Sequence, residues 1–164
     1  MANILLFGSY NIQGVPSNVT DWLEEYARQG HTFIVGDGRG LDSAYHKTLS
    51  SIGATNVKIY AMDNARHNTY DFPVEKFLTA YDEQTKQATI YSASTNEVLE
   101  VIDNVVKVQD IQITRQWYEF RDKKMIQDCD MAICLFDGEN KTALHMIQLL
   151  NIYSKPVYTF TFLH

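Results

Sequence analysis

Positive charge is in short supply in this chain. Fourteen lysines and arginines face twenty aspartates and glutamates over 164 residues, a formal net charge of −6 with histidine neutral. Bulk electrostatic wrapping of a nucleic-acid duplex is therefore not expected, although the balance still allows a local basic pocket. Long hydrophobic runs are also missing. No stretch approaches the roughly twenty apolar residues that span a bilayer, so no membrane partner is expected. Met1-Ala2-Asn3 leads at once into a strand-like run, without the basic, apolar and small-residue succession of a signal peptide. Cysteine is scarce: Cys129 and Cys134, flanking an apolar run, are too few for a zinc site and are expected as buried thiols. Together these absences lead to an expectation of a soluble, cytoplasmic protein. The phosphate-loop pattern Gly-x-x-x-x-Gly-Lys-Ser/Thr is absent, as are Gly-x-Ser-x-Gly and His-Glu-x-x-His.

What the chain does have is a glycine-rich junction. Thr32-Phe33-Ile34-Val35 is a short run of strand formers, and Leu41, Ala44, Tyr45, Thr48, Leu49 and Ile52 recur at helical spacing. Between them lies Gly36-Asp37-Gly38-Arg39-Gly40. Glycines at a strand-to-helix turn let the backbone approach a ligand, and the free N–H groups of the helix start attract an anion. Arg39 adds a planar cationic fork suited to phosphate or carboxylate. The same residues would also serve as a plain tight turn with an exposed arginine. Their Gly-x-Gly-x-Gly spacing, after the second strand, does not match the dinucleotide fingerprint.

The surrounding pattern alternates. Ile4-Leu5-Leu6-Phe7 reads as a strand buried on both faces and ends in Gly8-Ser9-Tyr10. Ser17 or Asn18 caps a helix carrying Val19, Trp22, Leu23, Tyr26 and Ala27, and Gly30 stops it. Val57 to Ala61 is a third strand, and this order implies a parallel sheet with right-handed crossovers. Residues 62–113 break the pattern and read as an insertion within a single domain, 1–164. Within it, Lys76 to Ser92 suggests a hairpin around Asp82 to Lys86. Ser94-Thr95-Asn96-Glu97 has capping-box spacing before a helical stripe of Val98, Leu99, Ile102, Val105 and Val106. The alternation then resumes with a helix over Thr114 to Asp128, a strand over Met131 to Phe136, the loop Asp137 to Thr142, a further helix, and a strand from Pro156 to Phe162. The fold class expected is α/β, a Rossmann-like doubly wound parallel sheet with an inserted hairpin-plus-helix region.

Three groups of residues carry a family likeness: Gly8-Ser9; Gly36, Asp37, Arg39, Gly40 and Asp42; and Arg121, Asp122 and Met125 together with Asp137-Gly138. In this combination the chain resembles the SLOG superfamily, and within it the YspA/YpsA-like branch of Rossmann-like proteins. Relatives of that superfamily include cytokinin-type phosphoribohydrolases and nucleoside deoxyribosyltransferases. The resemblance implies a pocket for a nucleotide, a nucleotide sugar or an ADP-ribose derivative, and a homodimer. Two departures stand out. The branch's last loop, Asp-Gly-x-Ser-x-Gly-Thr, here reads Asp137-Gly138-Glu139-Asn140-Lys141-Thr142. The catalytic glutamate that the phosphoribohydrolases carry three residues beyond that threonine is here His145. A neutral imidazole stabilises an oxocarbenium-like state less well than a carboxylate, which tilts the expectation toward binding.

The ligand-binding residues expected are Gly8, Ser9, Tyr10, Gly36, Asp37, Gly38, Arg39, Gly40, Asp42, Arg121, Asp137, Gly138, Asn140, Lys141 and Thr142. Phosphate is expected on Gly36–Gly40 and Asp137–Thr142, with Arg39 and Arg121 as charge partners. If the protein is an enzyme, a nucleotide N-glycosidase or deoxyribosyltransferase-like activity would draw on Asp37, Asp42 or Glu119. Asp42 has a second explanation as a first-turn carboxylate favoured by the helix dipole, and Arg121 with Asp122 as a surface pair. His46, His67 and His145 lack metal-ligand spacing, so neither metal nor cofactor is called for. A protein-interaction module working through the 62–113 insertion is the third reading.

Overall fold

The computed structural model describes residues 1–62, 70–105 and 111–162, with the backbone alone over 111–117. Among these residues the elements are β1 (Asn3–Gly8), α1 (Ser17–Arg28), β2 (Thr32–Gly36), α2 (Leu41–Ser51), β3 (Val57–Met62), β4 (Val74–Asp82), β5 (Gln87–Ser92), β6 (Val98–Ile102), α3 (Ile111–Asp128), β7 (Met131–Phe136), α4 (Lys141–Ile152) and β8 (Val157–Thr161). The strands form one sheet in the order β6-β5-β4-β3-β2-β1-β7-β8. From β4 through β3, β2, β1 and β7 to β8 every pairing is parallel, while β4–β5 and β5–β6 are antiparallel.

Strand periodicity divides the core into two layers. Ile4 and Leu6 point to the face covered by Val19 and Leu23 of α1 and by Leu41, Tyr45 and Leu49 of α2. Their neighbours Leu5 and Phe7 point the other way, to Met125 and Ile126 of α3 and to Met146 and Leu150 of α4. With helices on both faces, β1 has no polar side, which is why its sequence reads as an unbroken apolar run. Among the described residues, no helix is long and apolar enough to cross a membrane.

Three helices end alike. At the end of α1, Gly30 N–H donates to Ala27 O at 3.0 Å and His31 N–H to Tyr26 O at 3.1 Å, a Schellman pair. Gly53 and Ala54 repeat it after α2, and Ser154 and Lys155 after α4. The residue that caps α1 is Pro16, ahead of the Ser17 and Asn18 suggested by the sequence.

Two expectations are corrected. The sheet is mixed, not purely parallel, because β4, β5 and β6, from within the expected insertion, extend it edgewise from β3, with β4–β5 and β5–β6 antiparallel. The expected helix from Val98 is strand β6. Asn96 sits in the left-handed region at φ 59°, and Ser92 N–H donates to Glu97 O at 3.0 Å, closing a turn where a helix was to start. Of the five residues in β6, two valines and an isoleucine are β-branched and favour the extended form. Val106, the last residue of the expected stripe, lies outside the described residues.

Candidate functional site

β1 lies between β2 and β7, and there the winding reverses: the chain runs outward through β2 and β3 on one side and through β8 on the other. Crossovers that diverge from a common strand leave a crevice at the carboxyl ends of the strands, where open α/β sheets place their ligands. A cavity of about 260 Å³ occupies this point. Leu6, Phe7, Met125 and Met146 give it an apolar floor, and Tyr10 and Arg39 stand at its rim. A second cavity, about 400 Å³, lies between α3 and α4 and shares Asp122 and Thr142 with the first.

The loops around this crevice are tied to one another. A side chain on Gly40, at φ 70°, would place its Cβ 2.0 Å from Tyr10 O, and one on Gly8 would fall equally close to Leu135 O. Only glycine lets the first and second loops meet, and Leu41 N–H then donates to Tyr10 O at 3.2 Å. Ser9 is buried; its N–H donates to Leu135 O at 2.9 Å and its Oγ accepts from Asp137 N–H at 3.0 Å. Asp137 in turn accepts from the N–H groups of Glu139 and Asn140, both at 2.8 Å. These backbone donors favour the ionised form and hold the Asp137 carboxyl below its usual range. Asn140 caps α4 by accepting from Ala143 N–H at 2.8 Å. From below, Tyr45 Oη donates to Phe7 O and His46 Nε2 to Gly36 O, each at 2.9 Å, pinning the ends of β1 and β2.

Charge at the crevice centres on Arg121. Its Nη1 meets Asp37 Oδ1 at 2.7 Å, while Nη2 and Nε meet Asp122 Oδ1 at 3.0 and 3.2 Å. Burial works against the guanidinium charge, but Asp122, Asp42 and Asp37 outweigh it and raise the Arg121 pKa. For Asp122, burial dominates and pushes the carboxyl up, with Arg121 opposing. Asp42 has taken up the glycine loop: one of its oxygens accepts from Gly38 N–H at 2.9 Å, and a Cβ on Gly36 would lie 2.7 Å from the same atom. Gly36 leaves room for the Asp42 carboxylate and the Arg121 guanidinium together.

The structure therefore sorts the expected site residues. Gly8, Tyr10, Gly38, Arg39, Asp42, Arg121, Asn140 and Thr142 line the switch-point cavity, and Lys141 lines the adjoining one with Glu119 and His145. Ser9, Gly36, Asp37, Asp137 and Gly138 are not among the lining residues of either cavity. Asp37 is 1% exposed and salt-bridged to Arg121, so its role here is internal, and the Arg121–Asp122 contact is a buried link, not a surface pair. Met146 and Leu149 were not singled out from the sequence, although their spacing from Thr142 puts all three on one side of α4. Both cysteines are buried and unpaired. Among the described residues, no three His, Cys, Asp or Glu side chains could jointly hold a metal ion. His67 and the Trp117 side chain lie outside the described residues.

No family model, no curated protein and no solved structure matches this chain.

Proposed function

We propose that this chain binds a nucleotide-derived small molecule, such as a nucleotide, a nucleotide sugar or an ADP-ribose derivative, in the switch-point cavity, as a sensor or sequestering protein. The reading rests on the position of that cavity, at the reversal of strand order and between the starts of α2 and α4. The likeness of its loops to the SLOG superfamily points the same way. Of the two loops expected to hold phosphate, Gly36–Gly40 and Asp137–Thr142, we assign the anionic end to the second, at the start of α4. Asp42 already engages Gly38 N–H, and Asp37, Asp42 and Asp122 surround Arg121 with more negative than positive charge. At α4, by contrast, the first-turn N–H groups of Lys141 and Thr142 lack helical acceptors, and Lys141 and the Thr142 hydroxyl stand beside them.

The experiment is native mass spectrometry of the purified protein, followed by thermal shift against nucleoside mono- and diphosphates, nucleotide sugars and ADP-ribose. A true ligand raises the unfolding midpoint with concentration by mass action. Thr142→Val should weaken a hit by roughly tenfold, the scale of one hydrogen bond to a charged group. No shift across the panel would overturn the proposal.

One observation favours a second reading, nucleotide N-glycosidic cleavage. Asp42 and Asp122 line the cavity and Glu119 the adjoining wall, and an oxocarbenium-like state calls for a carboxylate beside the sugar. Free base released from a bound nucleotide would establish it, with Asp42 or Glu119 in the catalytic role; Asp37 is too enclosed to serve.

A further inference from the structure

The two cavities share two side chains, and one of them is a carboxylate held in a fixed pose. Both Arg121 hydrogen bonds to Asp122 fall on Oδ1, and among the described residues Oδ2 has no hydrogen-bond partner. The Asp122 side chain is 14% exposed and lines both cavities, so a ligand seated there would cover Oδ2. Its neighbours Asp42 and Glu119 are like charges that push its carboxyl the same way as burial does. A carboxylate oxygen so placed calls for a neutral hydrogen-bond donor and repels phosphate.

From this we infer that Asp122 is the sugar-recognising residue of the site: its Oδ2 accepts a hydrogen bond from a ribose hydroxyl, so the protein selects ribonucleotide-type over dideoxyribonucleotide-type ligands. The inference rests on the nucleotide-binding reading and deepens it. In a nucleotide the sugar links base to phosphate, and Asp122 borders both cavities. Thr142, the other shared side chain, belongs to the helix start to which the anionic end is assigned. Arg121 holds the carboxylate so that it need not reorganise on binding. A site built around a hydroxyl rejects an analogue lacking it, because the enclosed acceptor is then left unpaired.

Dissociation constants measured by calorimetry for the four common nucleoside 5′-monophosphates, each in ribo, 2′-deoxy and 2′,3′-dideoxy form, test this on the unaltered protein. The ribo form should bind at least about tenfold more tightly than the dideoxy form of the same base. In Asp122→Ala no side-chain atom is left to meet the hydroxyl, and the ribo-to-dideoxy ratio should fall toward one. Equal binding of ribo and dideoxy forms by the wild type overturns the inference while leaving nucleotide binding intact. So does a full ratio in Asp122→Ala. Binding of none of the forms overturns this inference, and with no shift across the wider panel of diphosphates, nucleotide sugars and ADP-ribose it overturns the nucleotide reading as well. The wild-type ratio decides the matter even if the variant fails to fold.

Discussion

Replacing Arg121 by leucine takes the cation away from a carboxylate, Asp37, that is 1% exposed. Breaking a buried pair from one side leaves the other charge in a poor solvent, so Arg121→Leu should cost about 3–5 kcal/mol in urea unfolding. Adding Asp37→Asn should recover a good part of that loss, and a double-mutant cycle measures the coupling. Asp137 makes a prediction about pH. Its folded pKa lies below the unfolded value, so its stabilisation is complete above the ordinary carboxylate range and is lost as pH falls through the lowered value. The gap in urea midpoint between wild type and Asp137→Asn should therefore be widest near neutrality and close in acid. Gly40→Ala is the backbone counterpart: with its Cβ 2.0 Å from Tyr10 O, it should destabilise by about 2 kcal/mol or more and blunt any ligand-induced thermal shift. At this scale the sequence singled out Arg121, Asp37 and Asp42; Arg121 and Asp42 line the crevice, whereas Asp37 is enclosed behind Arg121. That Asp37 and Arg121 satisfy each other across 84 positions is a tertiary fact with no local signature.

Among the elements, the helix ends were the most legible, because Gly30 and Gly53 are the residues a Schellman ending prefers. The third such ending uses Ser154 at φ 55°, a conformation costly for an L residue, so Ser154→Gly should stabilise by about 1 kcal/mol in thermal or urea unfolding. The buried strands were equally plain, since β1 and β7 carry nothing but apolar side chains where both faces are covered. Strand β6 was not. Leu99 and Ile102 pack inward on the sheet, yet their three-residue spacing also fits a helical stripe, and the capping-box letters before them are an ordinary turn. Short amphipathic segments carry too few periods to separate the two, and pairing with β5 decides. In and beside β7, burial pushes the Cys134 thiol up to about 12 and the Cys129 thiol up to about 11. Neither should react with a thiol-specific disulfide reagent in the native protein near neutral pH, and both should react once it is unfolded.

At the scale of the whole molecule, the sheet has a protected middle and a lightly held end. β1 is paired on both sides and covered on both faces, whereas β6 is an edge with Val98 and Val101 half exposed. Hydrogen exchange should be slowest in β1 and fastest, among the paired strands, in β6. Parallel strands joined through helices were readable from alternation alone; which strand stands beside which was not, since nothing local in β1 names β7 as its neighbour. That adjacency also sets a timetable. The Ser9–Asp137 hydrogen bond joins positions 128 apart, and α4, which supplies Thr142, comes later still. A ribosome adding about 5–20 residues per second takes on the order of ten seconds to pass from one partner to the other. Throughout that interval β1 has its β2 neighbour within reach but waits for β7. The crevice at the ends of β1 and β7 is thus completed only after α4 has been made, long after β1 and β2 are in place.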